Sequence, residues 1–176
     1  MRTEAPGDQA QSSFLLRFIF GKNPLWTIVR ILFVVLVVLV LFKFILLPIR
    51  VTGDSMLPTF RDGQIKFVNK LAYKNKDPQR GDIVAVEYLG RQILLLKRIV
   101  AVPGETFQVN EGEVYINGDL LEEPYAKGKI PPSAGKGLGH TDPVPLGPDE
   151  YMILGDNRDL SEGYFYRRKH IIGKVL

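Results

Sequence analysis

A chain of 176 residues has room for one moderate domain and a short appendage, and with 45% hydrophobic residues, 17 glycines and 12 prolines it reads as a folded protein rich in turns, not a disordered one. The formal net charge of +4 suggests an acidic partner, but residues 49–176 carry 18 Lys and Arg against 17 Asp and Glu, so the domain has no basic stripe and nucleic acid is not expected as a partner. No cysteine is present, which excludes disulfides, a Cys nucleophile and thiolate metal sites, and His140 and His170 show no H-E-x-x-H spacing, so neither metal nor cofactor is expected.

Residues 1–24 form a mixed, polar tail broken by Pro6, Gly7 and Pro24. Within it, 14–20 reads equally as a short interfacial helix, with Arg17 and Lys22 at headgroup level, or as loose chain. An apolar anchor follows. Its uninterrupted core, 31–42, is twelve residues, short for a span on its own. With its flanks the segment 25–49 makes a helix of about 37 Å against roughly 30 Å of hydrocarbon. Arg30 and Lys43 then snorkel to opposite ends, Trp26 suits one interface, and Pro48 ends the helix, giving a transmembrane anchor over 25–48. The apolar stretch is too long for a cleaved leader and no small-x-small site follows it, so an uncleaved single-pass anchor is expected. Arg17, Lys22 and Arg30 precede the core while Lys43, Arg50, Arg61 and Lys66 follow, a near balance that leaves the orientation open.

From Arg50 onward the pattern is β, with Gly and Pro punctuating short runs of alternating or wholly apolar residues. Strands are predicted over 63–69 (Ile65 and Phe67 on one face), 81–88, 92–102, 151–154 and 171–176. The 92–102 run is apolar on both faces, as a strand covered on both sides would be. Residues 105–110 and 113–117 form a hairpin around Glu111-Gly112, and Asn117-Gly118 supplies a second tight turn. Residues 127–149, rich in Gly and Pro, read as a loop or insertion. The expected fold class is mainly β: one transmembrane helix, then a folded-sheet or barrel-like domain over 49–176.

Two residues in that domain are out of place. Lys97 shares a strand face with Ile93, Leu95, Ile99 and Ala101, where desolvation disfavours an ammonium and lowers its pKa. A lysine that is neutral near neutral pH is a competent general base, and a serine hydroxyl needs one to become a nucleophile. The bland alternative is an edge-strand lysine facing water. Arg98 points to the opposite face and needs a carboxylate if buried, with Asp156 a candidate. Ser55 lies six residues beyond Ile49, within roughly 20 Å of the expected anchor's end. Its bland alternative is a turn former between Asp54 and Pro58. Met56 and Leu57 beside it read as exposed apolar contacts for lipid or substrate.

These motifs together resemble bacterial type I signal peptidases, the serine–lysine leader peptidases. The resemblance runs from the anchor to Leu176 through Gly53-Asp-Ser-Met-Leu-Pro-Thr59, Arg80-Gly-Asp-Ile-Val-Ala-Val86, Lys97-Arg-Ile-Val-Ala-Val-Pro-Gly-Glu105, Asn117-Gly118 with Glu123-Pro-Tyr125, and Gly155-Asp-Asn-Arg-Asp-Leu-Ser161. It implies Ser55 as nucleophile, Lys97 as general base, Ser161 orienting the lysine amine, and Arg98 with Asp156 as a structural ion pair. It also implies an oxyanion donor in the Ser55 N–H, with the backbone at Gly53 doing more of that work because no hydroxyl stands there. One departure follows Ser161, where the family commonly has x-Asp-Ser-Arg and this chain has Glu162-Gly-Tyr-Phe165, leaving Glu162 or Arg158 to compensate. The resemblance further implies a catalytic domain on the extracytoplasmic side of the cell membrane, and as substrate the signal peptides of exported pre-proteins, bound as an added strand with small residues before the cut. A specialised pilus or conjugation peptidase, or a silent anchored binding domain, are the other readings. The sequence sets no oligomeric state.

Overall fold

The computed structural model describes residues 24–88, 93–131, 142–160 and 162–176. The chain divides after Phe44 into a helical unit and a β unit, Ile45–Leu176. Pro24, favoured in the first helical turn, opens helix α1 (Pro24–Val40), and a π-helical turn carries it through Leu41–Ile45. The 21-residue stretch Leu25–Ile45 is long and apolar enough to cross a membrane, about 31 Å at 1.5 Å per residue.

The expected anchor runs on to Pro48, but the helix ends at Ile45 and Leu46–Arg50 is strand β1. Its antiparallel partner is β2 (Ile65–Asn69), with Leu46 opposite Asn69 and Arg50 opposite Ile65. Pairing satisfies one row of β1 backbone groups and packs Leu47 and Ile49 onto the core. Proline is tolerated because β1 is an edge strand.

The remaining strands are β3 (Ile83–Tyr88), β4 (Ile93–Ala101), β5 (Thr106–Asn110), β6 (Glu113–Ile116), β7 (Asp119–Leu120), β8 (Val144–Pro145), β9 (Glu150–Leu154), β10 (Tyr164–Arg167) and β11 (Ile171–Val175). They form two sheets, ordered β1-β2-β11-β3-β4-β9-β10 and β7-β6-β5-β8. Among the described residues neither sheet closes on itself, so the folded-sheet form of the expectation holds and the barrel form does not. The two predicted hairpin turns are present, with Glu111-Gly112 joining β5 to β6 and Asn117-Gly118 joining β6 to β7.

Three apolar clusters hold the unit together. Val100 and Ala101 of β4 and Met152 and Leu154 of β9 meet Phe107, Val109, Val114 and Ile116 of the small sheet. The other face of the large sheet buries Val84, Val86, Ile99, Ile153 and Ile171. Val51, Met56, Phe60, Val68 and Val175 form the third, over Ala85. Residues 127–149 are not wholly a loop: Ile130 and Leu146 enter the first cluster and β8 pairs with β5, while 132–141 lie outside the described residues. Ile65 and Phe67 do share a face, but it is the solvent-facing one, at 68% and 38% exposure.

Strand β4 departs from uniform burial. It pairs with β3 along 93–98, but with β9 only from Arg98 onward, past an irregularity between Ile99 and Ala101. The stretch 93–97 therefore has one hydrogen-bonding edge unpaired among the described residues, and Ile93 and Leu94 are exposed there.

Candidate active site

The turn carrying Ser55 leaves the end of β1. Val51 is pinned on both sides, its N–H donating to Gln64 O (2.8 Å) and its carbonyl accepting from Gly63 N (2.9 Å). Gly53 takes a positive φ of 82° and donates its N–H to Asp62 Oδ1 at 2.8 Å. Leu57 N then donates to Asp54 O (3.1 Å), and Phe60 N to Met56 O (2.9 Å), so Ser55 sits inside a closed turn. A side chain at Gly53 meets no atom but must adopt the left-handed conformation. Gly53→Ala is therefore expected to cost about 1–2 kcal/mol, measured by urea unfolding.

Ser55 and Lys97 line one cleft, together with 50–53, Met56 and 93–96. One wall is the turn after β1 and the other is the unpaired stretch of β4. Lys97 is 5% exposed and stands opposite Val84 in the β3–β4 ladder. Burial pushes its amine below the ordinary lysine range, while the carboxylates of Glu162 and then Asp156 pull the other way. The cleft-lining Met56 is 2% exposed and belongs to the third core cluster, so it is not the exposed contact read from the sequence. Its apolar body anchors the turn instead. Leu57 is half-buried and does not line the cleft.

Behind the cleft, Arg98 and Asp156 are paired. Arg98 Nε donates to Asp156 Oδ1 (2.8 Å), Nη2 to Oδ2 (2.6 Å), and Nη1 to Gly81 O (2.8 Å). The guanidinium also lies 3.9 Å from the Tyr125 ring centroid. Asp156 is fully buried and accepts a further hydrogen bond from Thr59 Oγ1, which ties the Ser55 turn to the segment after β9. Next in the chain, Asn157 donates from its backbone to Ser55 O (3.0 Å) and from Nδ2 to Asp54 O (3.1 Å). Its Oδ1 is buried and meets no donor. Exchanging the two amide atoms would set that oxygen against the Asp54 carbonyl, so the orientation is fixed by the donor.

Ser161 lies outside the described residues. Of the two groups considered as compensation for the altered segment after it, Arg158 is committed elsewhere: its guanidinium grips Glu123 (2.5 and 2.6 Å) and donates to Gly155 O (3.0 Å). Glu162 does act on the Lys97 charge, and its carboxylate accepts the Tyr164 hydroxyl. Among the described residues no group of three or more His, Cys, Asp or Glu is arranged to hold a metal. Thr59 and Asn157 lie within the quoted motifs but were given no role there, and Asp62 was passed over. Each touches the Ser55 turn, yet Thr59 and Asn157 do so through pairings about a hundred residues long, which leave no local signal.

The described residues thus hold an apolar N-terminal helix long enough to cross a membrane, two open sheets, and a cleft lined by a turn serine and a buried lysine. The chain belongs to the signal peptidase family, peptidase S26, whose family model matches residues 25–175. By that membership it is a peptidase. It is 36% identical over 131 residues to signal peptidase I T of Bacillus subtilis (strain 168), covering 73% of this chain and 68% of that one. It is 30% identical over 171 residues to signal peptidase IB of Staphylococcus aureus (strain Mu50 / ATCC 700699), covering 88% of each. A crystal structure of a signal peptidase I from Enterococcus faecalis V583 aligns with a TM-score of 0.43 and 26% identity, over 57% of this chain and 98% of that one.

Proposed function

We propose that this protein is a membrane-anchored serine endopeptidase that removes signal peptides from exported pre-proteins through Ser55 and Lys97. The observation that carries the reading is that a buried, amine-depressed Lys97 and a turn-held Ser55 line the same cleft. The neutral Lys97 amine takes the Ser55 hydroxyl proton as Oγ attacks the scissile carbonyl. The oxyanion so formed receives the Ser55 N–H, which no described residue accepts. Gly53 contributes differently from the sequence expectation, because its N–H is already donated to Asp62. The lysine ammonium then protonates the departing amine, leaving an acyl ester on Ser55. Water, deprotonated by Lys97, attacks that ester and frees the serine and the new carboxylate. Ser161 stands as the residue that orients the amine, and Arg98 with Asp156 as the pair that fixes the strand and turn behind it.

The substrate enters as an extended segment along the unpaired edge of β4, where backbone pairing gives affinity and shallow pockets admit small side chains. The chain crosses the cell membrane once, with the N-terminal tail inside and the β domain on the extracytoplasmic face, where exported chains emerge.

Detergent-solubilised protein is expected to cut a secretory pre-protein after a small-x-small sequence, read by the masses of both products. A chelator should leave the rate unchanged. Equal product from the Ser55→Ala variant, or loss of activity on chelation, overturns the reading.

A further inference from the structure

The proposed reaction needs a correctly aimed donor for the oxyanion, and the chain offers few. Position 53 is a glycine, with no hydroxyl, and its N–H is held by Asp62 at 2.8 Å. The Ser55 N–H is left to do the work, so what fixes the Asp54–Ser55 peptide plane matters.

The Asp54 carbonyl of that plane accepts from Leu57 N–H within the turn (3.1 Å), and from outside the turn both peptides flanking Ser55 are held by one residue. Asn157 Nδ2 donates to the Asp54 carbonyl, and the Asn157 backbone N–H donates to the next carbonyl, that of Ser55. Of the described bonds in this turn only Leu57-Pro58 is cis, so both peptides are trans. In a trans peptide the carbonyl and the N–H point in opposite directions across a rigid plane. Drawing the Asp54 carbonyl toward Asn157 therefore turns the Ser55 N–H away from it. The second bond does the same for the Met56 N–H. No described residue accepts a hydrogen bond from either, and both residues line the cleft. A carbonyl that accepts a hydrogen bond also polarises its own peptide, making its N–H a better donor.

Resting on the serine–lysine reading above, we propose that Asn157 is a positioning residue that aims the oxyanion-binding N–H of Ser55 by holding the two carbonyls on either side of it. The unpartnered Asn157 Oδ1 fits this assignment. Asn157 itself touches neither the substrate nor the reacting atoms.

The test is Asn157→Asp, which keeps the shape and the backbone N–H but replaces the Nδ2 donor with an acceptor facing the Asp54 carbonyl. On a signal-peptide substrate kcat is expected to fall about 10- to 100-fold with KM unchanged. A tripeptide aldehyde ending in alaninal, whose serine adduct carries the oxyanion, should inhibit the variant more weakly by the same factor. Binding of the uncleaved peptide to an Asn157→Asp, Ser55→Ala double variant should match Ser55→Ala alone. A kcat within twofold of wild type, or a loss that falls on KM, overturns the proposal. Should Asn157→Asp fail to melt cooperatively, Asn157→Ser is judged by the same kcat, KM and aldehyde measurements. Cleavage that survives Ser55→Ala in otherwise wild-type protein sinks the parent reading instead, which separates the two failures.

Discussion

The Lys97→Met protein is expected to melt at a higher temperature than wild type at neutral pH while cleaving at about one-thousandth of its rate or less. Both effects come from one placement. Lys97 is buried on a strand face beside Val84 and Ile99, where an ammonium loses its hydration. Its amine is held below the usual lysine range chiefly by that burial, against the opposing pull of Glu162 and Asp156. A lysine whose folded pKa is depressed destabilises the fold fully at pH below that folded value. The penalty is relieved as pH climbs from there toward about 10.4, because in that window the unfolded chain holds a proton that the folded one has shed. Methionine fills similar space without the charge, so its advantage is largest below the folded pKa of Lys97 and shrinks as pH climbs above it. Cleavage by wild type should rise through the same pKa and level off, since only the neutral amine can take the serine proton. Calorimetry at two pH values and a pH–rate profile check both halves. Equal melting at neutral pH with retained cleavage would remove Lys97 from the site.

Asp156→Ala is expected to destabilise the protein by about 3–5 kcal/mol, the range found when one partner of a buried ion pair is deleted. The carboxylate is fully buried and receives two hydrogen bonds from Arg98 and one from Thr59. Its removal strands a guanidinium that is only 12% exposed and frees the hydroxyl that tethers the Ser55 turn. The double variant Arg98→Met, Asp156→Leu should recover most of the loss, because no charge is then left unpaired. Urea unfolding of the single and double variants decides it. A single variant costing under about 1 kcal/mol, or a double variant no better than the single, would mean that the pair is solvated in solution.

The strands were legible where chemistry is local. At Glu111-Gly112 and Asn117-Gly118 all four residues take positive φ, as a two-residue hairpin turn requires, and Asn and Gly announce that directly. The end of the helix was not legible, because 46–49 is an apolar run that a membrane helix or a β strand would accept equally. What decides it is β2, some twenty residues away. Met56 misled for a related reason. Beside a polar turn it looks exposed, but the turn folds back over Val68 and Val175 and buries it. In the cleft, Ser55 and Lys97 stood out as misfits with their neighbours. Asn157 stood in the Gly155–Ser161 motif without a role of its own, because its two bonds to the serine turn exist only after β9 has been placed in the sheet.

The unpaired edge of β4 has a cost when no guest strand is present. Exposed sheet edges are usually guarded by lysine, proline or a bulge, since they template pairing between molecules. The described part of this edge, Ile-Leu-Leu-Leu at 93–96, carries no such guard, and the lysine that follows is turned inward. The edge proposed to receive substrate is thus also a place where a second copy could add. A domain freed from its membrane and concentrated in water is therefore poised to self-associate along β4, and a bound peptide or detergent acts there as a cap.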